Sequence, residues 1–237
     1  MVINGDKESK IYVANQLGLG HFNASDQNIE VVQTPYPVQG DGEQGYWASP
    51  AYWNDGTKNW IFYSATDSVT GDAPFPIDGY ELSPSGAAGS YNPVPQTPSA
   101  TTVSSTGSAI GFCQYSPTPS VSSNGTSASS GIVWAIERPN GDNPSKGDCN
   151  GAVSAHAVLH AFCATAAGAP CTTALTELYN SAQNVQKHYI SGDVSFSTPT
   201  IFNGLVYMGT KTPSGATTSE LDVFGLCSNN GPSGCLD

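Results

Sequence analysis

The sequence predicts an all-β fold assembled from repeated small antiparallel sheets, and three observations carry that expectation. Glycine and proline supply 26 and 17 of the 237 residues, a density of turn formers that long helices do not tolerate. Only 11% of residues are charged, while 38% are hydrophobic and 10% aromatic. Such a balance suits pleated, half-buried strands and is not the signature of a disordered chain. The third observation is internal repetition, with one pattern returning three times.

Each copy begins with a hydroxyl residue and proline, continues as a short strand, passes through an Asn-containing turn that ends in Gly, and resumes as an aromatic and β-branched strand. The first runs Ser49-Pro50-Ala51-Tyr52-Trp53-Asn54-Asp55-Gly56 into Trp60-Ile61-Phe62-Tyr63. The second runs Thr118-Pro119-Ser120-Val121-Ser122-Ser123-Asn124-Gly125 into Gly131-Ile132-Val133-Trp134, and the third Thr198-Pro199-Thr200-Ile201-Phe202-Asn203-Gly204 into Leu205-Val206-Tyr207-Met208-Gly209. Asn and Gly accept the positive φ of tight turns, so each copy reads as a β-hairpin. Further strands follow each hairpin, at Ile77-Asp78-Gly79-Tyr80-Glu81-Leu82, Ala157-Val158-Leu159-His160-Ala161-Phe162 and Glu220-Leu221-Asp222-Val223-Phe224-Gly225-Leu226. An incomplete copy stands first, at Lys10-Ile11-Tyr12-Val13-Ala14.

Four-stranded sheets recurring through short hairpins predict a β-propeller of four or five blades. The copies lie further apart than the ~40–50 residues of compact blades, so the segments 83–107 and 138–151 are expected to be surface loops. Segment 152–167 has helical composition, but its β-branched and aromatic residues fit a strand equally well. Residues 1–237 are expected to form one domain, either a piece of a larger propeller or a small ring. An unclosed ring exposes edge strands, which predicts pairing of two copies.

The net charge of −12 argues against nucleic acid and anionic membranes as partners, because seven scattered bases cannot displace counterions from a phosphate surface. No run approaches the ~18–20 apolar residues of a membrane span, and residues 1–8 lack the basic and apolar regions of a secretory signal. The six cysteines nevertheless point to an oxidising compartment. Cys163 and Cys171 bracket a flexible loop, Cys227 and Cys235 bracket another that would close the tail 227–237, and Cys113 with Cys149 would form the third pair. An extracytoplasmic location follows, with the signal upstream of this chain. The rival for these cysteines is zinc, for which no C-x-x-C is present.

Chemistry-bearing residues fall into several groups. His156 and His160 would share a metal on a helix but stand too far apart on a strand. Asn140, Asp142, Asn143 and Asp148 offer oxygen ligands of the kind calcium takes, and Asp67, Asp72 and Asp78 form a second acidic group. Asp67, Asp78, Glu81, Glu137, Glu177 and Asp193 are candidates for the paired carboxylates of glycoside hydrolysis. No G-x-S-x-G elbow or phosphate-binding glycine loop occurs. Tyr46, Trp47, Tyr52, Trp53, Trp60, Phe62 and Tyr63 crowd one blade, where alternation sends half to the core and leaves the others for a sugar-binding face. Trp47, Trp53, Trp60 and Trp134 are the candidate ligand-binding tryptophans. Asn23-Ala24-Ser25 and Asn124-Gly125-Thr126 match the glycosylation acceptor.

The runs Ser49 through Asn54, Asn124-Gly125-Thr126 leading to Gly131 through Glu137, Ala157 through Phe162, Leu178-Tyr179-Asn180-Ser181, Pro199-Thr200 with Asn203-Gly204 and Val206-Tyr207, and Leu221 through Leu226 together resemble the C-terminal part of bacterial quinoprotein-like (PQQ-like) β-propeller repeat proteins. The resemblance implies the propeller fold and, as one possible activity, oxidation of alcohols or sugars with PQQ and calcium. Cys163 stands where the repeats commonly carry Asp, and no two cysteines are adjacent as they are in many PQQ alcohol dehydrogenases. The leading expectation is therefore a module binding a glycan or protein partner without catalysis. A PQQ- and calcium-dependent dehydrogenase and a glycoside hydrolase are the alternatives.

Overall fold

Tight turns set the architecture. Asn203 and Gly204 adopt φ of 51° and 76°, the paired positive values that a two-residue hairpin requires, and they place Phe202 opposite Leu205. Gly56 takes φ of 91° in the first hairpin, where the Asp55 carboxylate accepts hydrogen bonds from the Thr57 and Lys58 backbone amides and the Thr57 hydroxyl. These contacts belong to a computed structural model of the chain, which describes residues 2–6, 10–14, 29–33, 48–64, 77–84, 91–95, 117–137, 157–184, 190, 197–211 and 219–225.

The described residues form four antiparallel sheets, each with its strands in chain order. Sheet 1 holds β1 (Val2–Gly5), β2 (Lys10–Ala14) and β3 (Ile29–Gln33). Sheet 2 holds β4 (Ala51–Asn54), β5 (Asn59–Ser64), β6 (Ile77–Pro84) and β7 (Tyr91–Pro95). Sheet 3 holds β8 (Ser120–Ser122), β9 (Ile132–Glu137), β10 (Val158–Cys163) and β11 (Glu177–Asn180). Sheet 4 holds β12 (Thr200–Phe202), β13 (Leu205–Lys211) and β14 (Ser219–Gly225). Among the described residues there is no α-helix, and no helix is long and apolar enough to cross a membrane.

The three hairpins, the strands that follow them and the incomplete first copy therefore stand where the repeats place them. The ambiguous segment 152–167 contributes strand β10. One expectation changes: the segment read as a surface loop, 83–107, contains β7, which pairs with β6. Its prolines Pro93 and Pro95 masked the strand in the sequence. They are tolerated because β7 is at the sheet edge, where one side of the backbone needs no ladder partner.

The sheets bury their faces against one another in chain order. Ile11 and Val13 of sheet 1 pack on Ile61, Tyr63, Tyr80 and Leu82 of sheet 2. The opposite face of sheet 2 carries Trp53, Trp60, Phe62 and Ile77 against Val133, Ala135 and Phe162 of sheet 3. Ile136 and Leu159 on the other face of sheet 3 meet Val206 and Met208 of sheet 4, with Tyr179 set edge-on to Phe224 at 6.5 Å between ring centres. Period-2 alternation explains the continuous apolar run of β5: its residues are buried on both faces.

The first strands of sheets 2, 3 and 4 lie side by side, β4 beside β8 and β8 beside β12. The Ser120 hydroxyl donates to the Pro199 carbonyl across the second of these junctions. Between sheets 2 and 3, Trp53 lies flat against the backbone of Gly131. An ideal Cβ on that glycine would fall 2.5 Å from Trp53 Cη2, so this position takes glycine because the ring already occupies the space.

Candidate functional site

Sheet 3 assembles a charged cluster from residues that lie far apart in sequence. β9 and β10 pair so that Ala135 faces His160 and Glu137 faces Val158, which puts Glu137 on the same face as His160, one diagonal step along. On the other side β11 pairs His160 with Asn180, but the register shifts between Ala161 and Phe162, and Phe162 pairs with Glu177 in place of Leu178. This one-residue bulge turns Glu177 onto the His160 face; an unbroken ladder would have sent it to the opposite side.

The imidazole is held from both ends, with Nδ1 2.7 Å from a Glu177 oxygen and Nε2 2.8 Å from a Glu137 oxygen. His160 is fully buried and stacks on Phe162 at 5.8 Å between ring centres. A neutral imidazole donates from one nitrogen only, so two carboxylate acceptors call for the doubly protonated cation. Burial alone would lower the His160 pKa, but the hydrogen bonds and charges of Glu137 and Glu177 outweigh it and hold the pKa above its usual 6.5. The side chain of Asn180 extends the network by donating to Glu177 at 3.4 Å.

A second arrangement lies at the first hairpin. Asp55 accepts the Trp60 indole N–H at 2.8 Å. Burial by itself would raise the Asp55 pKa, yet the Trp60, Thr57 and Lys58 hydrogen bonds hold it below the usual carboxylate value. Beside this turn the Tyr52 hydroxyl donates to Asn59 Oδ1 at 2.6 Å, and the Asn54 amide donates to the same oxygen at 2.9 Å. Tyr52 is 50% exposed, so its ring stands at the surface with two side-chain amides next to it. Lys58 closes the corner, 2.8 Å from Glu81 and 5.7 Å from the Trp60 ring centre.

The candidate tryptophans separate on this geometry. Trp53 and Trp60 are buried between sheets 2 and 3, so neither presents a ring face to a ligand. Alternation sends them inward and leaves Tyr52 at the surface. Trp134 packs against the core between sheets 3 and 4 and donates its indole N–H to the Ser122 hydroxyl at 2.8 Å. Trp47 lies outside the described residues. So do the candidate calcium ligands Asn140, Asp142, Asn143 and Asp148, along with Asp67, Asp72, Asp193, His156 and Asn23. Of the candidate carboxylates, Glu137 and Glu177 come together, Glu81 is engaged by Lys58, and Asp78 is buried beside Tyr80. Asp55 is a buried residue that its place in the Asn54-Asp55-Gly56 turn does not announce; the short polar run ahead of Trp60 is the available signal for it.

Cys163 and Cys171 are joined by a disulfide. Cys113, Cys149, Cys227 and Cys235, with the tail 227–237, lie outside the described residues. The Cys163 backbone also pairs with Thr176 and Leu175, so the linkage pins the loop that leads into β11 and Glu177. Opening it by a Cys163→Ala and Cys171→Ala double substitution should lower stability by roughly 2–3 kcal/mol, the chain-entropy value for a short loop. Equilibrium denaturation of the two proteins measures that difference.

Among the described residues no three His, Cys, Asp or Glu side chains form a cluster able to hold a metal ion. Glu137, His160 and Glu177 lie together, but both imidazole nitrogens are committed to the carboxylates. No family model matches the chain, and comparison with curated proteins and with solved structures returned no match.

Proposed function

We propose that the chain is a non-catalytic, extracytoplasmic, propeller-like module that binds a neutral glycan at the Tyr52 corner of sheet 2. The observation that carries this reading is the half-exposed Tyr52 ring set beside Asn54 and Asn59. An aromatic face packs on the C–H side of a sugar ring, while amide groups meet its hydroxyls. The Asp55 turn supports the corner, its carboxylate accepting from the Thr57 and Lys58 amides and from the buried Trp60 indole between Asn54 and Asn59. A charge of −12 favours neutral over anionic ligands. The propeller-like reading draws on four sheets in series with their first strands adjacent, and the extracytoplasmic one on the Cys163–Cys171 disulfide.

Hydrolysis is the weaker reading, because the imidazole of His160 fills the space between Glu137 and Glu177 where a scissile bond would have to sit. The dehydrogenase reading, with PQQ and calcium, draws only on the resemblance of the repeats.

Calorimetric titration with cello-, laminari- and chito-oligosaccharides tests the proposal. At least one series should bind saturably, and Tyr52→Ala should weaken it by about 10-fold or more. Phe202→Asp, on a different sheet, should leave the affinity unchanged. Equal affinities for wild type and Tyr52→Ala would overturn the assignment of the site. Saturable binding of PQQ with calcium, coupled to dye-linked oxidation of alcohols or aldoses, would replace it with the dehydrogenase reading.

A further inference from the structure

The dipeptide Asn-Gly occurs six times in the sequence, and the structure describes three of these pairs, Asn4-Gly5, Asn124-Gly125 and Asn203-Gly204. Asparagine ahead of glycine can close on itself. The glycine backbone nitrogen attacks the asparagine Cγ, and no Cβ on the glycine stands in the way. Closure needs a side-chain amide and a glycine N–H that are not held elsewhere, and a backbone free to turn about the asparagine ψ. The reacting groups are the same at all three positions, so the fold decides among them.

Asn4 and Gly5 lie inside β1, in ladder register with Tyr12 and Ile11. Asn203 and Gly204 are the whole turn between β12 and β13, with Phe202 paired to Leu205 at their ends. Turning Asn203 about its ψ therefore pulls two strands apart. Asn124 is not held in this way. Strand β8 ends at Ser122, so Asn124 and Gly125 belong to no ladder, and both are exposed. Among the described residues neither the Asn124 side chain nor the Gly125 N–H has a hydrogen-bond partner. A Cβ on Gly125 would meet nothing within 4 Å, so the attacking nitrogen stands in open space. The turn is tied by the Asn124 N–H, which donates to Ser130 Oγ at 2.9 Å, and by the Ser127 N–H, which donates to the Asn124 carbonyl at 3.2 Å. Only the second and longer of these has to give as ψ turns.

We infer that Asn124 is a site of spontaneous deamidation, converted in the folded protein ahead of Asn203 and Asn4. The Gly125 nitrogen bonds to Asn124 Cγ, the Cγ–Nδ2 bond breaks, and ammonia leaves with the Gly125 amide proton, giving a cyclic imide. Water then adds to one imide carbonyl. Opening at Cγ gives aspartate, whereas opening at the backbone carbonyl gives isoaspartate, with the chain now running through Cβ and Cγ. Either product adds one negative charge to a chain already at −12. Isoaspartate also lengthens a turn that packs on the neighbouring sheet, where a Cβ on Gly56 would fall 3.0 Å from the Thr126 carbonyl oxygen. The inference stands apart from the glycan reading, which uses neither Asn124 nor Gly125.

Incubation of the oxidised full chain in mildly alkaline buffer tests it, with protein made in a host that does not glycosylate asparagine and conversion at each Asn-Gly read by peptide mass spectrometry. Asn124 should convert at least about 10-fold faster than Asn203 or Asn4, because those two must first break strand pairing. Both isoaspartate and aspartate should form at position 124. In urea the three rates should fall within about 3-fold of one another, since the pairing that separates them is gone. Gly125→Ala should slow conversion of Asn124 by about 10-fold or more, because its methyl group crowds the attacking nitrogen. Equal rates in the folded chain, a 10-fold preference for Asn124 that persists in urea, or aspartate as the sole product would overturn the inference. An unchanged rate in Gly125→Ala would overturn it as well.

Discussion

Replacing His160 with leucine is expected to destabilise the fold by about 3–5 kcal/mol, the cost of stripping the partner from buried charge. Leucine fills much of the same volume, so the loss would come from Glu137 and Glu177, whose side chains are only 13% and 8% exposed. The wild type should carry the signature of the same cluster in its pH dependence. His160 has a folded pKa above 6.5, so between 6.5 and that raised value the folded state binds more protons than the unfolded one. Its contribution is complete below 6.5 and is lost as pH rises through the folded value. Urea denaturation at about pH 6 and about pH 9 should show the wild type less stable at the higher pH. The His160→Leu protein should lose most of that slope. A variant as stable as wild type, or one with an unchanged slope, would show that the triad carries no net charge interaction.

A substitution at Gly131 should come close to this in effect. Three ring atoms of Trp53 lie 2.5, 2.7 and 2.8 Å from where an alanine Cβ would stand, and the ring is packed among Trp60, Val133 and Phe162. Neither side has room to yield, so Gly131→Ala should cost about 1–3 kcal/mol and Gly131→Val more. Shortening the ring relieves the clash. Trp53→Leu alone is destabilising, yet the Gly131→Ala cost measured in that background should fall close to zero. Trp53 Nε1 is buried with no hydrogen-bond partner among the described residues, so Trp53→Phe should be far milder than the ~3–5 kcal/mol of a Trp→Ala truncation. Denaturation of the four proteins of the cycle supplies the numbers; additive costs would mean that Trp53 and Gly131 do not compete for the same space.

The parts of this architecture that were legible in the sequence are those written in short-range chemistry. Asn203-Gly204 and the Gly56 that ends Asn54-Asp55-Gly56 specify turns because few residues accept the φ they need, and the period of two along a strand sets which residues of a run such as Leu205 to Met208 share a face. Strand β7 was hidden because Pro93 and Pro95 look like loop residues until the neighbouring strand shows that only one side of the backbone is paired. The triad was hidden for a different reason. Glu137, His160 and Glu177 each stood among the candidates, but period-2 counting along β11 cannot reveal that a bulge at Leu178 turns Glu177 to the His160 side. The tryptophans show the limit of composition: the same aromatic cluster supplies buried packing at Trp53 and Trp60 and a surface ring at Tyr52. Only the pairing of β4 with β5, and the arrival of sheet 3 on one side of them, separates the two.

The most direct test of the binding-module reading follows the ligand as well as the protein. The oxidised chain is titrated with the neutral oligosaccharide series, and the sugar is recovered from the saturated sample and assayed for new reducing ends. Saturable binding with the sugar returned intact, and loss of that binding in Tyr52→Ala, is the result this reading predicts. Newly formed reducing ends, or no saturable binding across the series, would contradict it.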